Sequence, residues 1–214
     1  MFSTESKFYQ ALTILWDIMF IGLLWTVFSL PIITIGASTT ALYYVATKKV
    51  TNRESSYMIK DFWHSFKDNI VKSTIVFLIL AVVGFSVSYN LLLLSQAEAS
   101  AFGLLIRLVI IFVGVQLLFV TSTIFAVIAR FDLKIGEAFK TSFALANKHL
   151  FSTISNIIMF LTVWYLAFRI PVILLFMMGI YAYFSSMLLV RMFRKNNVEF
   201  EAYIEANNPE TFED

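Results

Sequence analysis

Few side chains in this 214-residue sequence could do chemistry, and they are scattered. Asp17 interrupts an apolar run, and Asn90, Gln116 and Asn156 are further polar residues inside apolar runs. A charge at mid-bilayer costs about 2.5–3.5 kcal/mol on insertion scales. Asp17 therefore reads as a snorkelling or paired carboxylate near a helix end, or else as part of a substrate or proton path. The three amides read as interhelical hydrogen-bonding groups of about 0.6 kcal/mol each, or together with Asp17 as the lining of a polar pocket. Arg107 and Arg169 read as interfacial anchors, with a sugar-facing role as the alternative. His64 and His149 fall beside the apolar runs, which argues against an intramembrane histidine pair. With no cysteine and no His-Glu-x-x-His pattern, no metal site is expected, and without a Gly-rich phosphate loop the chain is not expected to drive transport with ATP by itself. No nucleophile, base and orienting group can be combined, so the expectation is a protein that is not an enzyme and has no cofactor.

The elements that position these residues are apolar. Hydrophobic residues make up 59% of the chain and charged ones 14%, against about 45–50% and 25% in soluble domains. Mean hydropathy is +0.81. A crossing helix needs about 20 apolar residues, because the bilayer offers no water to backbone groups. Five stretches approach or reach that length: 12–30, 73–94, 108–129, 151–168 and 171–190. Between the last two, Pro171 disfavours helix at the residue before it and points to a tight hairpin. The first ten residues contain Glu5 and lack a basic cluster, so no cleavable signal is expected and the first apolar stretch is retained. The expected fold is an all-α integral membrane protein with five transmembrane helices.

Orientation follows from Lys and Arg, which favour cytoplasmic connections. Thirteen lie on one side, among them Lys48, Lys49, Arg53, Lys60, Lys67, Lys72, Arg130 and Lys148, against three on the other: Lys7, Arg107 and Arg169. In a bacterial plasma membrane this gives an external N-terminus and a cytoplasmic C-terminus. Two basic connections carry apolar residues at helical spacing, Ile59, Phe62, Trp63, Phe66 and Ile70 in the first and Ile135, Ala138, Phe139, Phe143 and Ala146 in the second. Each should form a cytoplasmic amphipathic helix. Their opposite faces, with Lys60, Lys67, Glu137 and Lys140, are candidates for meeting a partner. Both segments contain Phe-x-x-Ser-Phe and lead to Ser-Thr-Ile, which suggests an internal repeat or a chance match. Residues 1–195 read as one helical membrane domain, and 196–214, with six acidic residues and no basic one, as an acidic cytoplasmic tail.

The most informative stretch runs Ser29-Leu30-Pro31-Ile32-Ile33-Thr34-Ile35-Gly36, continues through small residues and reaches Ala41-Leu42-Tyr43. Pro31 removes a backbone donor, and the small residues let backbones approach. Pro31, Thr34 and Gly36 thus mark either a kinked, closely packed helix or a break lining a cavity. This stretch, with Leu24 and Trp25 before it and the aromatic segment around Phe62 to Phe66, resembles the YesL family of bacterial membrane proteins, a domain of unknown function. Ala37 stands where that family usually has proline. The resemblance implies five spans and a genetic neighbourhood of carbohydrate ABC importers; it implies no catalytic residue.

Two functions follow as expectations. One is an accessory or scaffold subunit beside a carbohydrate ABC importer, touching its permease subunits. The other is a small transporter or substrate-binding subunit with a pocket around Asp17, Asn90, Gln116 and Asn156. The net charge of +2 gives no reason to expect nucleic acid as a partner. The lipid bilayer is the one partner that composition requires, and composition leaves the oligomeric state open.

Overall fold

In the computed structural model the structure describes residues 7–51, 58–96, 101–170, 172 and 174–206, with the backbone alone at 7–11, 174 and 197–206. These residues form helices and no strand: α1 (Lys7–Phe28), a short 3-10 turn (Ile32–Thr34), α2 (Ile35–Val50), α3 (Met58–Gln96), α4 (Ala101–Arg130), α5 (Ile135–Lys148), α6 (Leu150–Arg169) and α7 (Leu174–Ala206). Four of them are long and apolar enough to cross a membrane: Met58–Gln96, Ala101–Arg130, Leu150–Arg169 and Leu175–Asn196. The apolar stretch of α1, Leu12–Phe28, is shorter.

The helix breaks have local causes. After Phe28 the chain leaves the helix around Ser29, Leu30 and Pro31, whose ring cannot donate within a helix. The Thr34 hydroxyl lies 2.7 Å from both the Phe28 and Pro31 carbonyl oxygens, so a side chain meets carbonyls that the break leaves unpaired. A single residue, His149, separates α5 from α6, with φ −117° and ψ 53° outside the helical region. Ile170, extended at φ −139°, ends α6 just before Pro171.

Several expectations change in detail. The first amphipathic segment is no separate helix, because α3 continues from Met58 through Lys72 into the apolar stretch without a break. Its inner face is Phe62, Ser65 and Phe66, while Ile59 and Trp63 are exposed. In α5 the buried face is Ala138, Ser142, Leu145 and Ala146, and Phe143 turns outward. Phe62, Phe66 and Trp63 group around Phe28 of α1, with ring centroids 5.2–5.5 Å from it. α7 continues as helix to Ala206, into the acidic segment read as a tail. Arg53 lies outside the described residues.

The core lies where α1, α2, α3, α4 and α7 meet, and α2 is its centre, with ten of its 16 residues buried. Side chains of Ala37, Ala41 and Ala46 bring neighbouring helices close. By contrast, no residue of α3 after Leu80 is buried, and none of α4 before Val120. Those stretches expose Phe85, Leu105 and Phe112, as acyl chains permit and water does not.

Candidate functional site

The polar residues that the fold brings together lie along α2. Thr39 accepts a hydrogen bond from Trp25 Nε1 of α1 at 3.0 Å. One position on, Thr40 and Ser73 of α3 share a hydrogen bond of 2.8 Å between fully buried hydroxyls. Almost one turn later, the Tyr43 hydroxyl donates to Tyr181 of α7 at 3.1 Å and lies 3.1 Å from the Ser185 hydroxyl. Lys48 binds Asp61 of α3 at 2.8 Å, and Lys49 forms an ion pair with Asp17 of α1. One helix thus bonds through side chains to α1, α3 and α7. Away from water such bonds persist, because their loss leaves polar groups in an apolar surrounding.

Around Tyr43 these bonds close into a cluster. Asn156 of α6 lies beside both tyrosine hydroxyls and is 2% exposed. Its Nδ2 donates to the Ser122 carbonyl oxygen of α4 at 3.0 Å, while its buried Oδ1 has no hydrogen-bond partner among the described residues. The cluster therefore joins four helices and leaves one buried amide oxygen with unused acceptor capacity.

The four polar candidates within the apolar runs bond to separate partners. Asp17 pairs with Lys49. Asn90 is exposed and donates to the Ser86 carbonyl of its own helix, at 2.8 Å. Gln116 makes two hydrogen bonds, 3.0 and 3.3 Å, with Asn147 of α5. Asn156 alone joins the buried cluster. At the break, Pro31 is exposed, Thr34 lies at its carbonyls, and Gly36 is buried against α3, where an added Cβ would overlap the Ser73 carbonyl oxygen and meet Phe77 Cβ at 2.8 Å. Among the partner-facing candidates, Lys60, Lys67, Glu137 and Lys140 are all exposed. Lys67 lies 4.8 Å over the Trp63 ring, and Glu137 accepts a hydrogen bond from the Lys134 backbone at 3.0 Å. Sequence reasoning missed Tyr43, Thr40, Ser73, Tyr181 and Ser185. The spacing of Thr39, Thr40 and Tyr43 along one helix was the signal available.

At the polar end of the bundle Lys72 of α3 binds Asp132, after α4, at 2.8 Å. That ammonium holds the Asp132 carboxyl below its usual range, and the hydrogen bond from Lys48 to Asp61 raises the lysine. Among the described residues no group of three or more His, Cys, Asp or Glu could hold a metal ion.

Part of this network falls within a known sequence family. Residues 13–91 match the family described as Protein of unknown function, DUF624. The match covers just over a third of the chain and takes in most of α1, all of α2 and α3 as far as Leu91. The chain is similar to that family over most of α1, α2 and most of α3, while the network's partners on α4, α6 and α7 lie beyond the match. No curated protein and no solved structure matches the chain.

Proposed function

We propose that this chain is a multi-pass membrane scaffold of YesL type, an accessory subunit beside a carbohydrate ABC importer in a bacterial plasma membrane. In this reading α1 adds a fifth membrane-embedded helix to the four long spans, and the basic connections and the C-terminal end of α7 face the cytoplasm. The observation that carries it is the division of labour on the two basic segments. Part of each apolar face is spent on packing, with Phe62 and Phe66 buried in α3 and Ala138 and Leu145 in α5, while Lys60, Lys67, Glu137 and Lys140 remain exposed. Charged faces held on fixed helices suit recognition of a partner's cytoplasmic loops, since complementary charge gives specificity. The test is affinity purification in mild detergent followed by mass spectrometry. Stoichiometric recovery of permease subunits supports the scaffold, and a chain recovered without them refutes it.

A second reading, a small solute-binding or transporting subunit, is favoured by one observation, the unpartnered Asn156 Oδ1 beside Tyr43 and Tyr181. It requires the purified chain to bind a neutral polar solute and Asn156→Leu to abolish that binding. Solute binding unchanged in this variant rules out the cluster as the site.

A further inference from the structure

Three contacts between α1 and α2 occur in reverse order along the two helices. Asp17 meets Lys49, Trp25 meets Thr39, and the Phe28 carbonyl meets the Thr34 hydroxyl. The two helices are therefore antiparallel and form a hairpin, with residues 29–33 at its tip. The tip is apolar and open: Leu30, Ile32 and Ile33 are 76%, 71% and 61% exposed. No charged residue occurs between Asp17 and Lys48. The open end is the reverse, with Asp17, Lys48 and Lys49 together and Asp61 of α3 bound to Lys48.

A bilayer sorts such a hairpin by its ends. Exposed Leu and Ile side chains go to the acyl chains, and the cluster of ionic groups goes to an aqueous face. Lys48 and Lys49 belong to the strongly basic set of connections, which selects the cytoplasmic face. Length adds a constraint. Sixteen residues in α2 rise about 24 Å at 1.5 Å each, short of a hydrocarbon core of about 30 Å. The irregular backbone at the tip also has partners, since the Thr34 amide and hydroxyl both reach the Pro31 carbonyl.

We propose that α1 and α2 form a re-entrant hairpin that enters and leaves the bilayer from the cytoplasmic face, so that the N-terminal end of α1 lies on the same side as the C-terminal end of α7. This differs from the external N-terminus that the charge count alone suggests. The count treated α1 as a single crossing and left α2 in a loop, whereas the Asp17–Lys49 pair returns the chain to its starting side.

The chain contains no cysteine, so single cysteines can report on this directly. Lys7→Cys, Ile33→Cys, Ser95→Cys and Arg194→Cys are each treated with a membrane-impermeant maleimide in intact and in permeabilised bacterial cells. The proposal expects Ser95→Cys to label in intact cells, and Lys7→Cys and Arg194→Cys to lose that labelling and regain it on permeabilisation. Ile33→Cys should resist the impermeant reagent in both states and react once the membrane is dissolved in a denaturing detergent, because a thiol among acyl chains does not ionise. Labelling of Lys7→Cys in intact cells overturns the orientation, and labelling of Ile33→Cys in intact cells overturns the re-entrant tip. A fluorescent protein that matures only in the cytoplasm, fused ahead of residue 7, gives an independent reading. Fluorescence supports the proposal, and a dark, full-length fusion contradicts it.

Discussion

The hydroxyl of Tyr43 lies 3.1 Å from that of Tyr181, joining α2 to α7 across 138 residues of sequence. Ser185, one turn further along α7, comes equally close. This contact holds together two parts of the chain whose helices pack mainly through aliphatic and aromatic side chains. Tyr43→Phe removes the donor yet leaves Tyr181 and Ser185 near one another. The expected cost is about 0.5–1.5 kcal/mol, seen as a lower thermal midpoint in detergent. Asn156→Leu should cost more, because it frees the Ser122 carbonyl and places a larger apolar group beside two hydroxyls. A midpoint for Tyr43→Phe equal to that of the parent would show that the hydrogen bond contributes nothing net.

Gly36 and Gly179 mark the closest backbone approaches. A Cβ on Gly179 would overlap the Ile18 carbonyl oxygen of α1, as one on Gly36 would overlap that of Ser73. Since the neighbouring atoms are main chain, relief requires helices to move, and overpacking of this kind costs about 1–3 kcal/mol or more. Gly179→Ala and Gly36→Leu should each lower the yield of folded, monodisperse protein. Gly136→Ala, with open space around it, should be neutral or stabilising by up to about 1 kcal/mol, as should Ile35→Leu in packing terms be tolerated. Equal yields for Gly179→Ala and Gly136→Ala would mean that α1 and α7 are not in close contact.

The ion pairs at the polar end set the response to pH. The carboxyl of Asp132 is held low by Lys72, so its contribution is complete above the ordinary carboxylate range and is lost as pH falls through the lowered value. Lys48 is raised by Asp61, so its contribution is complete below the ordinary lysine range and is lost as pH rises through the raised value. Thermal midpoints should therefore decline at both extremes, with Asp132→Asn reducing the acid decline and Asp61→Asn the alkaline one. Both effects should shrink in high salt, because these groups reach solvent. An acid decline unchanged by Asp132→Asn would assign it to other carboxylates.

Asp17 and Lys49 offer a test of coupling. Asp17→Lys sets two ammonium groups against each other where both side chains are mostly shielded from solvent, and Lys49→Asp does the same with carboxylates. Each single reversal should lower expression of folded protein, and the double reversal should restore part of it. Rescue of this kind isolates the pair term, as a double-mutant cycle does. Two single losses that simply add would show that the charges act separately.

How much of this was readable beforehand varies by residue. Four of the long apolar stretches announced themselves through length and lack of charge, and the proline at 171 in the sequence announced the end of α6 at Ile170. α2 did not, since Ser38, Thr39, Thr40, Thr47 and two lysines depress its hydropathy although it is the most deeply buried helix. Ser38 and Thr47 turn their hydroxyls back to carbonyls of the preceding turn, while Thr39 and Thr40 meet Trp25 and Ser73, partners that periodicity in one segment does not name. Asp17 was readable as a group needing a partner, but Lys49 was not identifiable as that partner until the hairpin was known. Asn90 and Asn156 looked alike as polar residues in apolar runs. Only packing separates them, one exposed and bonded to its own helix and the other enclosed by three.

The exposed charges of α3 and α5 carry the prediction about a partner. Lys60 and Lys67 project from a helix whose inner face is anchored by Phe62 and Phe66, so reversing them should leave packing intact. Lys60→Glu combined with Lys67→Glu adds four units of negative charge to that face and should reduce co-purification of importer permease subunits, with the amount of folded protein unchanged. Part of any loss at Lys67 comes from its contact with the Trp63 ring, worth about 0.5–1 kcal/mol at an exposed site, so Lys60→Glu alone is the cleaner probe. On α5, Lys140→Glu is preferable to reversal at Glu137, because Glu137 also caps the helix through the Lys134 backbone. Reversal of Glu199 and Glu201, which lie beyond the described side chains, serves as the comparison. Loss of permease recovery on reversing the helix faces but not the acidic segment assigns docking to α3 and α5. The opposite pattern moves docking to the C-terminal end of α7 and refutes the role given to these lysines.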